Sequence, residues 1–247
     1  MQLTKFRSLY HLLPTKVRRA IRGRWDERKE QRLYRQFVAP GDLVFDVGAN
    51  VGLKTKAFLA LGAHVVAVEP NPDCEGMIRR RCGSAVDRNL LHIVSCAVGD
   101  RLGHLAFYIN ENYSTMSSGS EAFIAAHDNV TWRKVDAELV TLDELTRRFG
   151  VPDFIKVDVE GMDAEVLQGL RLRPKFLSFE YNVNPDLWPS AKRCIQEAIR
   201  LGFSEANFTA FSTPRLLLNA WIPLARVEAA INGHFTGSWG WGDVFVK

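Results

Sequence analysis

Leu43-Val44-Phe45-Asp46-Val47-Gly48-Ala49-Asn50-Val51-Gly52-Leu53 decides the reading of this chain. Residues 43–47 are a short apolar run of the kind that forms a buried strand. Gly48 and Gly52 let the backbone turn tightly and let a ligand approach it closely before a helix begins at Leu53. The turn Ala39-Pro40-Gly41-Asp42 precedes this unit. Beyond it, strands and helices alternate. His64–Val68 reads as a strand ending at Glu69, Pro72–Arg81 as a helix and Leu91–Cys96 as a third strand. Leu142–Phe149 reads as a helix, Phe154–Val159 as a strand, Met162–Leu170 as a helix, Phe176–Phe179 as a strand and Leu187–Leu201 as a helix. The pattern predicts a doubly wound α/β domain with a mostly parallel sheet. A sixth strand over Phe203–Phe208 and a terminal strand over Val244–Val246 complete it.

Two segments interrupt the alternation. Leu105–Ile109 and Val135–Val140 are strand-like and flank a polar stretch, so they predict an inserted hairpin with a long loop. Residues 209–242 form a long connection before the last strand.

The glycine loop also bears on ligand chemistry. A nicotinamide site wants G-x-G-x-x-G, with the middle glycine admitting a pyrophosphate. Asn50 stands there instead, and the acid Asp46 stands two residues before Gly48. A cationic, sulfonium-bearing amino acid suits such a loop better than an anion does. Glu69, at the end of the second strand, is placed to accept hydrogen bonds from ribose hydroxyls.

Composition bounds the rest. The chain has 247 residues, 47% hydrophobic and 24% charged, which suits one globular domain. Charge is uneven. Residues 1–35 hold eleven Lys and Arg against three acids, although the whole chain carries only +4. This divides the chain into a basic helical arm, 1–39, and a domain, 40–247. Leu3, Phe6, Leu9, Tyr10 and Leu13 recur at helical spacing in the arm, and a second helix is predicted over Asp26–Phe37. Such an arm suits weak contact with an anionic membrane surface, or simply a solvated face. Cys74, Cys82, Cys96 and Cys194 form no metal or disulfide pattern. With no apolar run of membrane length and no secretory signal, a cytoplasmic protein with reduced thiols is the expectation.

The chain resembles the FkbM-type methyltransferases. The resemblance rests on Phe45-Asp46-Val47-Gly48-Ala49-Asn50-Val51-Gly52, Val68-Glu69-Pro70-Asn71, Ala97-Val98-Gly99-Asp100 and Thr141-Leu142-Asp143-Glu144-Leu145. It extends through Ile155-Lys156-Val157-Asp158-Val159-Glu160-Gly161 and Gly242-Asp243-Val244-Phe245-Val246. It covers about residues 40–247 and leaves out the arm and most of 209–240. The resemblance implies a Rossmann-like class I methyltransferase fold, seven-stranded, with an antiparallel last strand. It also implies S-adenosyl-L-methionine as cofactor, held by Asp46, Gly48, Asn50, Gly52, Glu69, Pro70, Ala97 and Val98. The implied reaction is methylation of a hydroxyl on a sugar, glycan or other secondary metabolite.

Lys156, Asp158 and Glu160 alternate along one strand and so share a face, and Glu180 ends the next strand. Ligands in open α/β sheets sit at these carboxyl ends. Asp158 is the first choice for the base that takes the acceptor's proton, with Glu160 and Glu180 next. Lys156 either holds a carboxylate ionised or stabilises a developing alkoxide. The alternative is that Asp158 and Glu160 cap the helix that follows. No residues have dedicated metal-ligand spacing, so no metal is assigned. For the acceptor, Trp239 and Trp241 offer flat faces in a glycine-rich loop with His234 nearby in sequence, and the hairpin loop with Ser118 is expected to form the opposite wall. Trp241 reads equally well as core. Three rival functions remain: a non-catalytic cofactor-binding or assembly protein, an RNA or protein N-methyltransferase, and a nicotinamide oxidoreductase. The segment Asp158-Val159-Glu160-Gly161 lacks the proline and aromatic residue with which N-methyltransferases grip a planar nitrogen, so nucleic acid is an unlikely partner.

Overall fold

A computed structural model describes residues 28–111, 117–125, 130–211, 213–237 and 239–247. The helix expected over 3–13 and the start of that over 26–37 lie outside the described residues. Helix α1 spans 28–34. There follow β1 (Leu43–Val47), α2 (Leu53–Ala60), β2 (His64–Val68), α3 (Pro72–Asp87), β3 (Leu91–Val94), β4 (Ala97–Gly99), β5 (Gly103–Asn110) and α4 (Glu121–Ala125). The second half contains β6 (Trp132–Thr141), α5 (Leu142–Phe149), β7 (Phe154–Val157), α6 (Asp163–Gln168), β8 (Phe176–Asn182), α7 (Trp188–Arg200), β9 (Glu205–Phe208), β10 (Ile222–Pro223), α8 (Val227–Phe235) and β11 (Trp241–Val246).

The main sheet runs β10-β9-β11-β8-β7-β1-β2-β3. Strands β3, β2, β1, β7 and β8 are parallel, and β11 is antiparallel to both its neighbours. This is the Rossmann-like class I methyltransferase fold with its antiparallel last strand. To the seven expected strands the structure adds one edge piece of two residues, Ile222–Pro223. Pro223 has no N–H to donate, which suits an edge.

Alternation along the strands builds two cores. Phe45 and Val47 join one buried cluster, while Val44 joins the other, as opposite faces of a pleated strand require. The second cluster includes Leu33, Tyr34, Phe37 and Val38, which continue from α1 into the domain. The Phe37 ring stacks on Phe245 at 4.6 Å and on Phe154 at 5.9 Å. Burying one such ring contributes about 1.5–3 kcal/mol. The described end of the basic segment therefore packs into the domain itself.

The strand expected over Leu91–Cys96 stops at Val94. The chain then turns, and Ala97–Gly99 pairs in parallel with Leu139–Thr141. Together with the antiparallel β5–β6 hairpin it makes a second, three-stranded sheet. The connection 209–242 is also more ordered than its glycines suggest. It contains α8, which buries Val227, Ile231 and Phe235 at a four-residue spacing. Among the described residues, no helix is long and apolar enough to cross a membrane.

Candidate active site

The glycine loop sits where β1 hands over to α2. Gly48 and Ala49 donate their backbone N–H groups to the Val68 carbonyl, both at 3.0 Å, which locks the loop against β2. Gly48 has φ +79°, and a Cβ there would lie 1.9 Å from the Asp158 carbonyl oxygen. The loop therefore touches the end of β7 directly, and only glycine permits it. Asn50 also adopts a left-handed φ of 49°. Its N–H donates to Glu69 Oε2 at 2.8 Å, and the Asn71 N–H donates to Oε1 at 2.9 Å. Glu69 is thus fixed by both neighbours while each oxygen keeps a second lone pair for a ligand. Asp46 accepts from the Thr55 hydroxyl at 2.6 Å through Oδ2, and its buried Oδ1 has no partner among the described residues.

Glu69 lines one cavity with Gly48, Asn50, Pro70, Ala97 and Val98. Six of the eight expected cofactor residues therefore meet in one place. Asp46 lies behind the loop, in the wall of a neighbouring cleft. Gly52, at φ +75°, starts α2 against Ile78. The far wall of the cavity, which the sequence reading missed, comes from Gly119 in the loop between β5 and β6, from Met162 before α6, and from Leu105 and Phe107 of β5 in the second sheet. Their signal was the alternation Leu105, Phe107, Ile109, which puts three apolar residues on one face of a strand.

At the ends of β7 and β8 the acids converge. The Lys156 ammonium, only 1% exposed, donates to Asp158 Oδ2 at 2.6 Å. Burial disfavours the Lys156 charge, but Asp158, Asp243 and Asp46 outweigh it and hold the ammonium above its ordinary value. Burial opposes ionisation of Asp158 too, yet Lys156 and Lys54 prevail and hold this carboxyl below the usual range. Glu160 and Glu180 behave oppositely. Burial and the Asp158 charge push both well above ordinary carboxyls, and Asp243, directly opposite Glu180 on β11, adds to the effect there. Carboxylate oxygens of Asp158, Glu160 and Glu180 lie within 4.8 Å of one another, a spacing a divalent cation can also bridge.

Neither Asp158 nor Glu160 caps the next helix. Met162 occupies that position without a side-chain bond, and Asp163 accepts long contacts from Val159 and Gly161 N–H at 3.4 Å. Glu160 and Gly161 both have left-handed backbone, at φ 53° and 99°. The turn is tied down by Ser118, whose buried hydroxyl donates to the Glu160 carbonyl at 2.6 Å. Ser118 thereby positions the acid loop, while its neighbours Ser117 and Gly119 line the first cavity.

The acids floor an open cleft of about 760 Å³ that also takes in Lys29, Glu30, Lys54, Phe123, Asn182, Leu187, Trp239 and Trp241. Trp241 lies in β11 opposite Asn182, and Trp239 stands exposed beside Phe211. His234 ends α8, exposed against Phe208 and Phe235, and does not line the cleft. Gly48, Asn50, Asp158 and Glu160 line the cavity and the cleft together.

The chain matches the methyltransferase FkbM domain over residues 46–205. It belongs to the FkbM methyltransferase family. Hexuronic acid methyltransferase AglP of Haloferax volcanii is 29% identical over 153 residues, 59% of this chain and 58% of that protein. The FkbM methyltransferase structure from Methylobacillus flagellatus KT is alike in fold, with a TM-score of 0.51 at 13% identity over 87% of this chain and 49% of that one. The chain thus spans about half to three fifths of the length of these relatives.

Burial also links this site to pH. Glu69 and Asp163 are pushed from 4.5 and 3.8 up to about 7, chiefly by desolvation. For a carboxyl whose folded value is raised, the stability it contributes is present at low pH and fades as pH rises through the folded value. Without ligand, melting temperature should therefore carry a contribution from these groups that falls as pH rises from about 4 to about 7 and levels off above that. Glu69→Gln should gain on wild type steadily across that range. A constant gap between the two melting curves would show that Glu69 does not titrate there.

Proposed function

We propose that this protein transfers a methyl group from S-adenosyl-L-methionine to a hydroxyl of a sugar or glycan. The observation that carries this reading is the shared wall: the same four residues bound a nucleoside-type cavity and an acid-floored cleft, so donor and acceptor would meet at Asp158 and Glu160. The residues fit the donor. Glu69 has free lone pairs for two ribose hydroxyls, and apolar Val98, Leu105 and Phe107 offer a slot for a flat base. The unpartnered Asp46 Oδ1 places negative charge behind the loop. The likeness to a hexuronic acid methyltransferase supports a sugar acceptor.

When bound, the donor supplies a methyl carbon made electrophilic by its sulfonium. The acceptor oxygen forms the new C–O bond as the C–S bond breaks, and its proton must leave. Asp158, tied to Lys156, is kept ionised but is a weak base. A carboxylate of Glu160 or Glu180 binds a proton more tightly than Asp158 does and would be the stronger base to take it. Asp158 accepts a hydrogen bond from the hydroxyl and fixes its direction, since alignment of the reacting atoms supplies much of the rate. Trp239 and Trp241 offer faces for a sugar ring.

Glu69→Ala should weaken donor affinity by about 1–3 kcal/mol, the worth of hydrogen bonds to a charged group. Calorimetry reads this directly, and unchanged affinity would remove Glu69 from the ribose. A panel of sugars and uronic acids, assayed by S-adenosylhomocysteine release, tests the acceptor. Turnover on none of them, with donor binding intact, would sink the sugar reading.

A further inference from the structure

We propose that the mouth of the acceptor cleft docks on an anionic phospholipid bilayer. Three of the large apolar side chains left exposed in the described residues gather at this mouth: Leu53 at 45%, Phe211 at 42% and Trp239 at 64%. Leu53 and Trp239 line the cleft itself, and the Phe211 ring lies 5.9 Å from that of Trp239. The other five, Met77, Leu102, Val151, Leu172 and Ile199, do not line it. Exposed apolar groups collected at one rim mark an interaction surface. A tryptophan is the residue best suited to the interface between lipid headgroups and hydrocarbon.

The basic segment reaches the same rim. Lys29 and Glu30 line the cleft with Trp239 and Trp241, and they line a shallower pocket with Phe211 and Pro214. The described chain thus begins at Arg28, next to two residues of the aromatic rim. The basic segment carries more positive charge than the chain's whole net of +4, eleven Lys and Arg against three acids over residues 1–35. Its sequence also repeats Leu3, Phe6, Leu9, Tyr10 and Leu13 at three- to four-residue spacing. A polyanion such as RNA would answer the charge alone. Charge together with apolar residues at helical period and an exposed tryptophan fits a bilayer with anionic headgroups. An acceptor displayed at a membrane surface would then face the acid floor without leaving it, a consequence that rests on the function proposed above.

The test is co-flotation of the full chain with phosphatidylcholine vesicles, with and without phosphatidylglycerol, in the absence of donor and acceptor. Its result is thus independent of methyl transfer. Binding to the anionic vesicles is expected to exceed binding to neutral ones by about tenfold or more. Replacing Lys5, Arg7, Lys16, Arg18, Arg19 and Arg22 with Gln should abolish that difference while the cooperative melt is kept. A second readout probes the rim: brominated lipids should quench the wild-type tryptophan fluorescence, and Trp239→Leu should lose most of that quenching. No preference for anionic vesicles, equal binding by the six-fold variant, or quenching unchanged in Trp239→Leu would each overturn the proposal. So would retention on RNA without retention on vesicles.

Discussion

The double variant Glu160→Gln/Glu180→Gln is expected to lose about 10²–10⁴ in kcat, the usual worth of a positioned general base. Its fold should be unharmed. Both carboxyls are raised well above their ordinary values by burial and by Asp158, so neutral amides replace groups that already resist ionisation. Donor affinity should change little, because Glu69 and the glycine loop are untouched. Asp158→Asn makes the informative contrast. It removes the charged partner of an ammonium that is 1% exposed, and breaking a buried pair costs about 3–5 kcal/mol. Asp158 keeps a quarter of its side-chain surface, so the lower end of that range applies. Removing its charge also lets Glu160 and Glu180 ionise more easily, which should move the acid limb of the pH–kcat profile downward. If the double variant turned over at the wild-type rate while Asp158→Asn was inactive at normal stability, Asp158 itself would be the base.

Gly48→Ala should be nearly as severe by another route. The added Cβ would meet the Asp158 carbonyl oxygen at 1.9 Å, and neither side can yield. Gly48 N–H is bonded to Val68, while Asp158 N–H is bonded to Val47. The strained φ alone costs about 1–3 kcal/mol for a residue with a side chain. The clash adds to that and pries β1 from β7 where the two cavities meet. Gly202→Ala is the control, since its φ is +89° but nothing lies within 4 Å of its Cβ position. Melting temperature should fall much further in Gly48→Ala than in Gly202→Ala, and donor binding should vanish only in the former. Equal melting losses would mean that the loop accommodates the methyl by moving.

The parallel core was legible because its strands are doubly buried. Leu43–Val47 and His64–Val68 carry enough consecutive apolar residues to declare themselves, and both begin and end where the sequence places them. The convergence of Asp158, Glu160 and Glu180 was legible only in part: the common sheet edge follows from topology, but β7 ends at Val157 rather than Val159, and a left-handed turn at Glu160 and Gly161, not a shared strand face, carries the acids into the site. What sequence alone did not reveal depends on partners distant in the chain. Nothing local announces that Ala97–Gly99 will leave β3's line to pair with Leu139–Thr141. Gly240 reads as a source of looseness, yet its missing Cβ leaves room for the Phe235 ring, which would otherwise stand 1.9 Å away. The loop glycine is a packing glycine. Likewise the charge of residues 1–35 hid Leu33 and Tyr34, which with the adjoining Phe37 fill the core beside Phe58, Phe154 and Phe245.

The wall shared by the cavity and the cleft has an evolutionary consequence. Donor-side surfaces come from β1, β2 and β5, whose positions the two sheets fix. Beyond strand residues that include Lys156, Glu180, Asn182 and Trp241, the cleft is lined by Lys29 and Glu30, Phe123, Leu187 and Trp239, on segments that lie outside the strand framework. Substitutions and insertions in those segments can remake acceptor choice without paying a penalty in donor recognition. A lineage built this way can diversify its products while inheriting one unchanging reagent, and directed evolution toward a new acceptor should begin at 29, 123, 187 and 239.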